Sequence, residues 1–347
     1  MMLLDLPAEI LFQIFEFVGS AYFRSSWKHL AICKEWSNYA IVACYRDFYV
    51  TPKKLARLRH IDSRYTWEGL FRIRNNAKSL EVELNEEDGD QLKILYSQGH
   101  GGGRFTRYQR RHDWAVRTDS HLSRLASVVG QSRKLRTLRI LATPSSRFIY
   151  YHGESEYYDF LFPNTLKSFL LSANHLTTLD LDLSESELVY LVNAPRRLDD
   201  YHICSRIAEL LTTLEKLRLR MRSICPELLR VPPHKTGLRL REVLINLSLR
   251  THQPLMLVLL TASHACHCKH FPRTGNRLLK EDMEKQAQEL VTHMAAPKMV
   301  RILSHETPAS KMRAFDAMTG KYIMLGEDTE CQGWDEPGEV IEKGSSN

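Results

Sequence analysis

The segment Leu176-Thr-Thr-Leu-Asp-Leu-Asp-Leu183 decides the fold class. From Leu179 to Leu183, apolar and acidic residues alternate with a period of two, which is the side-chain period of a β-strand. Leu217-Arg-Leu-Arg-Met221 repeats this alternation with arginines in the polar positions. A Leu-x-x-Leu-x-Leu phrase also occurs by chance at the edge of an amphipathic helix, and this alternative stays open. The strict alternation favours strands.

The apolar-x-x-apolar-x-apolar phrase recurs five times along the chain. It occurs at Ala77/Leu80/Val82, Leu135/Leu138/Ile140, Leu176/Leu179/Leu181, Leu214/Leu217/Leu219 and Leu240/Val243/Ile245. The phrase resembles the strand of leucine-rich repeats, which implies strands stacked in a parallel sheet with helices outside it. The starts lie 58, 41, 38 and 26 residues apart, so the array is irregular. Outer helices are expected at 122–129, 188–192 and 207–211.

The first 50 residues carry more apolar surface than a small unit can bury. Residues 6–18 are typical of a helix, with Pro7 in its first turn and Gly19 after its end. Ile10, Ile14, Phe17 and Val18 form one apolar stripe, and Leu11, Phe15 and Val18 form a second. Two further helices are expected near 25–33 and 34–48. The second stripe requires either the rest of the chain or an external partner.

Residue identity favours the external partner. Leu6-Pro7-x-Glu9-Ile10-Leu11-x-x-Ile14-Phe15 and Leu30-x-x-Cys33-Lys34-x-Trp36 resemble the F-box, over about residues 3–50. The resemblance, to F-box proteins of fungal type, implies binding to the Skp-type adaptor of a cullin-RING (SCF) ubiquitin ligase. It places Trp36 in the domain's own core. It implies that the adaptor-facing residues are Leu4, Leu6, Pro7, Glu9, Ile10, Ile14, Leu30 and Cys33. The sequence departs from the pattern at 20–26, which lacks the usual Asp-Leu pair.

The expected fold is therefore mixed α+β or α/β, in four parts. Residues 1–50 form a three-helix F-box, 51–75 a basic connector, 76–295 an irregular leucine-rich-repeat-like domain and 296–347 a cap with an acidic tail. Within the cap, 299–303 and 312–315 are typical of strands, and Thr319-Gly320 predicts a hairpin turn. Such a cap would protect the open end of a repeat array.

Composition indicates an ordinary globular chain. Of its 347 residues, 43% are hydrophobic and 26% charged, and no unbroken apolar run, Leu255–Leu260 included, is long enough to span a membrane. The N-terminus has no pattern of a secretory signal, and seven scattered cysteines are expected to be reduced thiols. The expected location is the cytoplasm, the nucleus or both, without membrane association.

Charge leaves a nucleic-acid-binding function as an alternative. The net charge of +7 divides into −1 over residues 1–50, −6 over 326–347 and +14 between them. Arginines alternate with aromatic residues at 104–111, directly after Gly101-Gly-Gly103, a composition that can bind single strands. A solvated loop that contacts a protein target is the favoured interpretation of this segment.

Chemistry-bearing motifs are few. The sequence lacks the glycine patterns of nucleotide-binding loops. The segment His264-Ala-Cys-His-Cys-Lys-His270 concentrates five metal-ligand types, but ligands from a single stretch do not readily surround a tetrahedral ion. No Cys-x-x-Cys pair occurs elsewhere, so neither a metal site nor a cofactor is expected.

The sequence thus predicts a non-enzymatic substrate receptor of an SCF-type ubiquitin ligase. It would bind the adaptor through residues 1–50 and a protein target through the concave strand face and adjoining loops. The candidate target contacts are Arg104, Arg107, Asp180, Asp182, Arg218 and Arg220. Two alternatives stay open, an adaptor-binding scaffold outside a full ligase and a basic nucleic-acid-binding protein.

Overall fold

The computed structural model describes residues 3–51, 54–55, 64–85, 104–143, 161, 163–171, 175–184, 202–232, 235–249, 264–268, 276–305, 311–326 and 333–341. The helices are α1 (Ala8–Val18), α2 (Ser20–Ser25), α3 (Lys34–Arg46), α4 (Arg64–Asn76), α5 (Arg104–Val129), α6 (Pro163–Leu171), α7 (Ile203–Leu210) and α8 (Asn276–His293). The strands are β1 (Asp47–Val50), β2 (Ser79–Asn85), β3 (Thr137–Thr143), β4 (Thr178–Leu183), β5 (Lys216–Met221), β6 (Ser223–Ile224), β7 (Glu242–Asn246), β8 (Cys266–His267), β9 (Met299–Ser304), β10 (Arg313–Asp316), β11 (Lys321–Met324) and β12 (Glu339–Ile341).

The fold is mixed α+β, built on a mostly parallel sheet. The described strands form one ten-stranded sheet in the order β1-β2-β3-β4-β5-β7-β9-β10-β11-β12. The strands from β1 to β9 in this order are parallel, and β10, β11 and β12 are antiparallel. A separate two-stranded sheet pairs β6 with β8.

Each of the five recurring phrases forms a strand of the parallel sheet. Their central positions lie in register across neighbouring strands, in the order Leu80, Leu138, Leu179, Leu217 and Val243. All five side chains are buried at 0–1% exposure, so stacking in register gives the sheet one continuous apolar face. The prediction that these five phrases form strands is therefore confirmed.

Strand β9 continues this apolar face, although the sequence analysis placed it in the cap. Val300 lies in register with Val243, and Val300 and Ile302 are both fully buried. The pair repeats the period-two pattern of the preceding strands, so β9 joins the parallel array. The antiparallel cap therefore begins only at β10.

Helices cover the apolar face of the sheet. Leu122 and Leu125 of α5 belong to the same buried core as Leu80, as does Ile207 of α7. The apolar stretches at 122–129 and 207–211 are helical as expected, apart from Leu211 just beyond α7. The third expected outer helix, at 188–192, lies outside the described residues.

The N-terminal helices differ in position from those expected. The second begins at Ser20 rather than near residue 25, because Gly19, with φ of 85°, ends α1 and redirects the chain at once. Arg24 Nη1 then donates to the Cys44 carbonyl at 3.0 Å. Phe48, expected on the third helix, lies instead in β1, which pairs with β2. The sheet therefore starts within residues assigned to the N-terminal helices.

Two segments that precede strands of the sheet are helical. The connector at 51–75 contains most of α4, whose Leu70 and Ile73 are buried in the main core. Arg104 to Arg111, expected in a solvated loop, form the start of α5, so that expectation is wrong. From Arg104 to Val129 the sequence contains no glycine or proline, and nothing interrupts the helix.

The C-terminal strands form the predicted hairpin. Gly320, with φ of 70°, lies between the antiparallel strands β10 and β11, and the Asp316 carboxylate accepts hydrogen bonds from Met318 N and Thr319 Oγ1. After it, Trp334 is buried in a second apolar cluster with Leu303 on the face of the sheet opposite the helices. Among the described residues, no helix combines the length and hydrophobicity that a membrane crossing requires.

Candidate functional site

Helix α1 divides its two apolar stripes between the core and the surface. Leu11 and Phe15 are each 1% exposed and fill the core of the N-terminal unit. The Phe15 ring stacks on Phe23 at 5.2 Å between centroids and lies 4.5 Å from the Trp36 ring. Trp36 therefore belongs to this core, as expected from the resemblance.

The other stripe is open to solvent. Ile10 is 41% exposed and Phe17 94% exposed, while Ile14 between them is half-buried. At about 100° per residue these three lie within about 60° of one another, and their mean direction is about 90° from that of Leu11 and on the side of the helix away from Phe15. We call Ile10, Ile14 and Phe17 the open stripe. An exposed aromatic in a continuous apolar row is typical of a surface that binds another protein.

The residues expected to face the adaptor fall into two groups. Pro7, Glu9 and Ile10 are exposed, Ile14 is half-buried and Cys33 is exposed. Leu6 and Leu30 instead pack, partly buried, against the core of the N-terminal unit. The Leu4 side chain lies outside the described residues.

Cys33 also has a local structural role. Its Sγ accepts a hydrogen bond from the Trp36 backbone N–H at 3.4 Å, which caps the start of α3. Phe17, the most exposed apolar side chain of α1, was part of the periodic stripe but not of the residues implied by the resemblance. Periodicity was therefore the signal that identified it.

Charged residues line the sheet face opposite the helices. Glu81, Arg139, Asp180 and Arg218 lie in register on four neighbouring strands. Arg139 reaches Glu81 at 3.0 Å and Asp180 at 3.1 Å, and burial raises the pKa of the Asp180 carboxyl, with Arg218 and Arg139 acting against it. We call these four residues the charged ladder. Their alternating signs neutralise one another across the strands.

A second row on the same face is buried. Asp182 and Arg220 form a two-point ion pair, with Nε to Oδ1 at 2.9 Å and Nη2 to Oδ2 at 2.5 Å. The side chains are 6% and 1% exposed. The Trp334 ring lies over two of the guanidinium groups of this face, 4.1 Å from Arg218 and 4.9 Å from Arg220.

This arrangement corrects part of the expected target-binding set. Asp182 and Arg220 are not accessible to a partner, because the C-terminal segment folds over them. Asp180, whose side chain is 17% exposed, and Arg218, which lies under Trp334, are only partly accessible. The sequence could not show this, since Trp334 is more than a hundred residues further along the chain.

Arg104 and Arg107 belong to a helix rather than to the sheet. Both lie in the first turns of α5, whose later residues Leu122 and Leu125 pack on the apolar face of the sheet. The side chains of Arg104 and Arg107 lie outside the described part of the structure.

The cysteine- and histidine-rich segment separates in space. Cys266 is exposed, with its Sγ 3.3 Å from the Arg222 carbonyl, and His264 Nε2 lies 2.7 Å from the His305 carbonyl. Cys268, in contrast, is close to His202, Cys204 and Cys225, which come from distant parts of the sequence. His270 lies outside the described residues.

Comparison with known proteins supplies no relative for this chain. Neither the protein-family models nor the curated proteins give a match, and no solved structure is similar to it at a significant level. The candidate sites are therefore characterised by their own geometry.

Proposed function

We propose that this protein is the substrate-recognition subunit of an SCF-type ubiquitin ligase. In this role the N-terminal helices bind a Skp-type adaptor, and the sheet domain holds a target protein. The chain performs no covalent chemistry itself and acts by holding the target near the ubiquitin-charged enzyme, a proximity effect. It needs no cofactor for this activity.

The observation that carries the proposal is the open stripe on α1. The F-box resemblance names Ile10 and Ile14 as adaptor-facing, and both lie on the side of α1 away from the core of the N-terminal unit. A chain that used this face for its own packing would bury Phe17, which is 94% exposed. Apolar side chains held in this way gain free energy when a partner removes them from water.

The proposed target-binding surface is the exposed part of the strand face of the sheet. The uncovered part of the strand face includes Glu81 and Arg139, whose side chains are 35% and 43% exposed. These charges lie away from Trp334, on the strands β2 and β3. We propose that a protein target contacts this end of the charged ladder.

The test is a direct binding measurement between the purified full chain and a Skp-type adaptor. Ile10→Asp and Phe17→Asp each place a charge on the open stripe, where adaptor binding would desolvate it. We expect each variant to weaken adaptor binding by at least about 100-fold, on the basis that an uncompensated buried charge costs about 3–5 kcal/mol.

Phe71→Asp is the matched control. Phe71 is 54% exposed on α4, so the same substitution removes an exposed aromatic outside the open stripe. This variant should bind the adaptor like the wild type. Failure of the folded wild-type chain to bind, or equal binding by all four proteins, would rule the proposal out.

The scaffold alternative differs only in its partners. Both functions require adaptor binding, and only a ligase subunit also assembles with a cullin through that adaptor. Reconstitution with purified adaptor and cullin therefore separates them, since a scaffold outside the ligase gives the binary complex alone.

The charged face of the sheet gives no support to nucleic-acid binding. Three arginines of the basic middle region, Arg139, Arg218 and Arg220, contact or neighbour carboxylates of the strand face. Neutralised arginines release no counterions on binding phosphate, so they contribute little affinity for nucleic acid.

A further inference from the structure

Three thiols and an imidazole meet beside the end of the small sheet. Their ligand atoms, from His202, Cys204, Cys225 and Cys268, all lie within 4.8 Å of one another. His202 Nε2 is 3.0 Å from Cys225 Sγ, and Cys204 Sγ is 3.7 Å from Cys268 Sγ. We call these four residues the Cys3His cluster.

The fold brings the cluster together from three separate segments. His202 and Cys204 lie at the start of α7, and Cys225 caps the short 3-10 helix Pro226–Leu229. Strand β6 pairs in parallel with β8, so the chain positions that follow them, Cys225 and Cys268, are adjacent. Cys268 N donates to the Ile224 carbonyl at 3.3 Å, which extends this pairing to the cluster.

The separation of two of these sulfur atoms matches that in a tetrahedral zinc site. With Zn–S bonds of about 2.3 Å, two thiolates of a tetrahedral site lie about 3.8 Å apart. Cys204 and Cys268 are within 0.1 Å of that separation, at 3.7 Å. The cysteines of the cluster are free thiols in the structure rather than disulfides. Three thiolates with one imidazole are a common ligand set of structural zinc sites.

The surroundings of His202 also suit metal binding. Its Nδ1 lies 3.3 Å from Glu227 Oε2, on the opposite side of the ring from the nitrogen that faces Cys225. A carboxylate that accepts the second ring N–H fixes the tautomer and orientation of a metal-ligating histidine. Cys204 and Cys225 are buried at 0% and 4% exposure, which excludes water from much of the cluster.

From this geometry we propose that His202, Cys204, Cys225 and Cys268 bind one structural Zn²⁺ ion. Four protein ligands complete the tetrahedron and leave no open position for a substrate, so the ion stabilises the fold and performs no catalysis. It joins α7 to the β6/β8 sheet. This inference does not depend on the proposed ligase function.

The metal content of the full chain tests the proposal. The protein is purified under reducing conditions with zinc present, freed of loosely bound metal by gel filtration, and analysed by mass spectrometry for zinc per chain. We expect about one zinc per wild-type chain. Replacement by Co²⁺ should give the visible absorption of a tetrahedral thiolate site, a signature of ligand type and geometry.

Matched variants assign the ligands. Cys204→Ser and Cys268→Ser should lose stoichiometric zinc and the cobalt spectrum. Cys266→Ser changes an exposed thiol two residues from Cys268 and should keep both. Glu227→Gln should retain the site but weaken its zinc affinity by about 10–100-fold, the usual effect of losing such a carboxylate.

A measurement on the wild type keeps the test decisive if ligand variants do not fold. Zinc should slow alkylation of Cys204, Cys225 and Cys268, mapped by peptide mass spectrometry, and a chelator should reverse this protection and lower the melting temperature. The rate at Cys266 should not change. A folded, reduced wild type without tightly bound zinc would overturn the proposal, as would a Cys204–Cys268 disulfide formed in the presence of zinc.

Discussion

The Asp182 carboxylate and the Arg220 guanidinium form a two-point ion pair buried beneath Trp334, on the sheet face opposite the helices. Neighbouring parallel strands hold the two residues directly opposite each other. Removing two charges from water is costly, and close pairing with two hydrogen bonds offsets that cost only while both partners are present. Burial of either charge is therefore compatible with a stable fold only while the other charge is present.

Asp182→Ala leaves the Arg220 cation buried without its partner. We expect a loss of about 3–5 kcal/mol in the free energy of unfolding, measured by urea denaturation. The double variant Asp182→Leu/Arg220→Met replaces the pair by apolar side chains and should lose much less than the sum of the single changes. Glu81→Gln, at the more exposed pair with Arg139, should cost less than about 1 kcal/mol. Equal losses for the two single variants Asp182→Ala and Glu81→Gln would contradict this account.

Trp334 holds the C-terminal segment against the sheet. It is 1% exposed, and Trp334→Ala should cost about 3–5 kcal/mol in unfolding free energy through lost burial. Among the described residues its buried Nε1–H has no hydrogen-bond partner, so Trp334→Phe removes an unsatisfied donor while it keeps a ring over Arg218. The phenylalanine variant should therefore retain most of the stability. A phenylalanine variant as unstable as the alanine variant would show that the ring does not act through burial and cation–π contact.

Substitutions in the two stripes of α1 should differ in how much they change the free energy of unfolding. Phe15→Ala and Leu11→Ala remove buried side chains and should lower the unfolding free energy by about 2–5 kcal/mol. Ile10→Asp and Phe17→Asp, on the open stripe, should change it by no more than about 0.5 kcal/mol. Thermal and urea unfolding of the four variants provide the comparison. A large loss from Phe17→Asp would mean that the chain itself uses the open stripe.

His305 should make stability fall in mild acid. Burial, together with the neighbouring His264, lowers the pKa of His305 from 6.5 to about 4. Because the folded chain keeps this ring neutral, its contribution is complete above pH 6.5 and is lost as the pH falls from 6.5 towards 4. We expect the free energy of unfolding to fall by about 1–2 kcal/mol between pH 7 and pH 5. This is less than the full pKa shift would give, because the ring keeps some contact with water.

The control for this prediction is His305→Gln, which cannot titrate. Urea denaturation of both proteins at pH 7, 6 and 5 separates the effect of His305 from those of other groups. The wild type should lose more stability than the variant over this range. Parallel curves for the two proteins would show that His305 does not titrate with a lowered pKa.

The strands of the parallel sheet were predictable because their signal is local. Leu179 to Leu183 alternates with Asp180 and Asp182, and this alternation requires an extended chain with one buried face. The Thr319-Gly320 turn was equally local, since the positive φ of Gly320 is a property of glycine itself. Neither feature depends on residues far along the chain.

Strand β9 and the start of helix α5 are two segments that the local sequence pattern assigned incorrectly. The pattern of Val300 and Ile302 identified a strand but not the neighbour with which it pairs, and pairing with β7 decides that it belongs to the parallel array. At Arg104–Arg111, charged and aromatic composition suggested a loop, while the absence of glycine or proline permitted a helix.

The Cys3His cluster could not be read from spacing. Its residues lie at 202, 204, 225 and 268, and the sequence contains no Cys-x-x-Cys pair. The only dense concentration of cysteine and histidine in the sequence is the segment that ends at His270. Within that segment Cys268 joins the cluster, while Cys266 is exposed and its Sγ lies 3.3 Å from the Arg222 carbonyl. The pairing of β6 with β8 decides which thiols meet.

The sequence by itself determined five strands of the parallel sheet (β2 to β5 and β7), the two apolar stripes of α1 and the hairpin near Gly320. Each is set by side-chain periodicity or by the conformational freedom of one residue, and both act over a few neighbouring positions. Only the tertiary structure decided that Trp334 covers Asp182 and Arg220, that Phe17 stays in solvent, and that three cysteines converge on His202. These depend on contacts between residues far apart in the chain, whose distances the order of strands in the sheet sets.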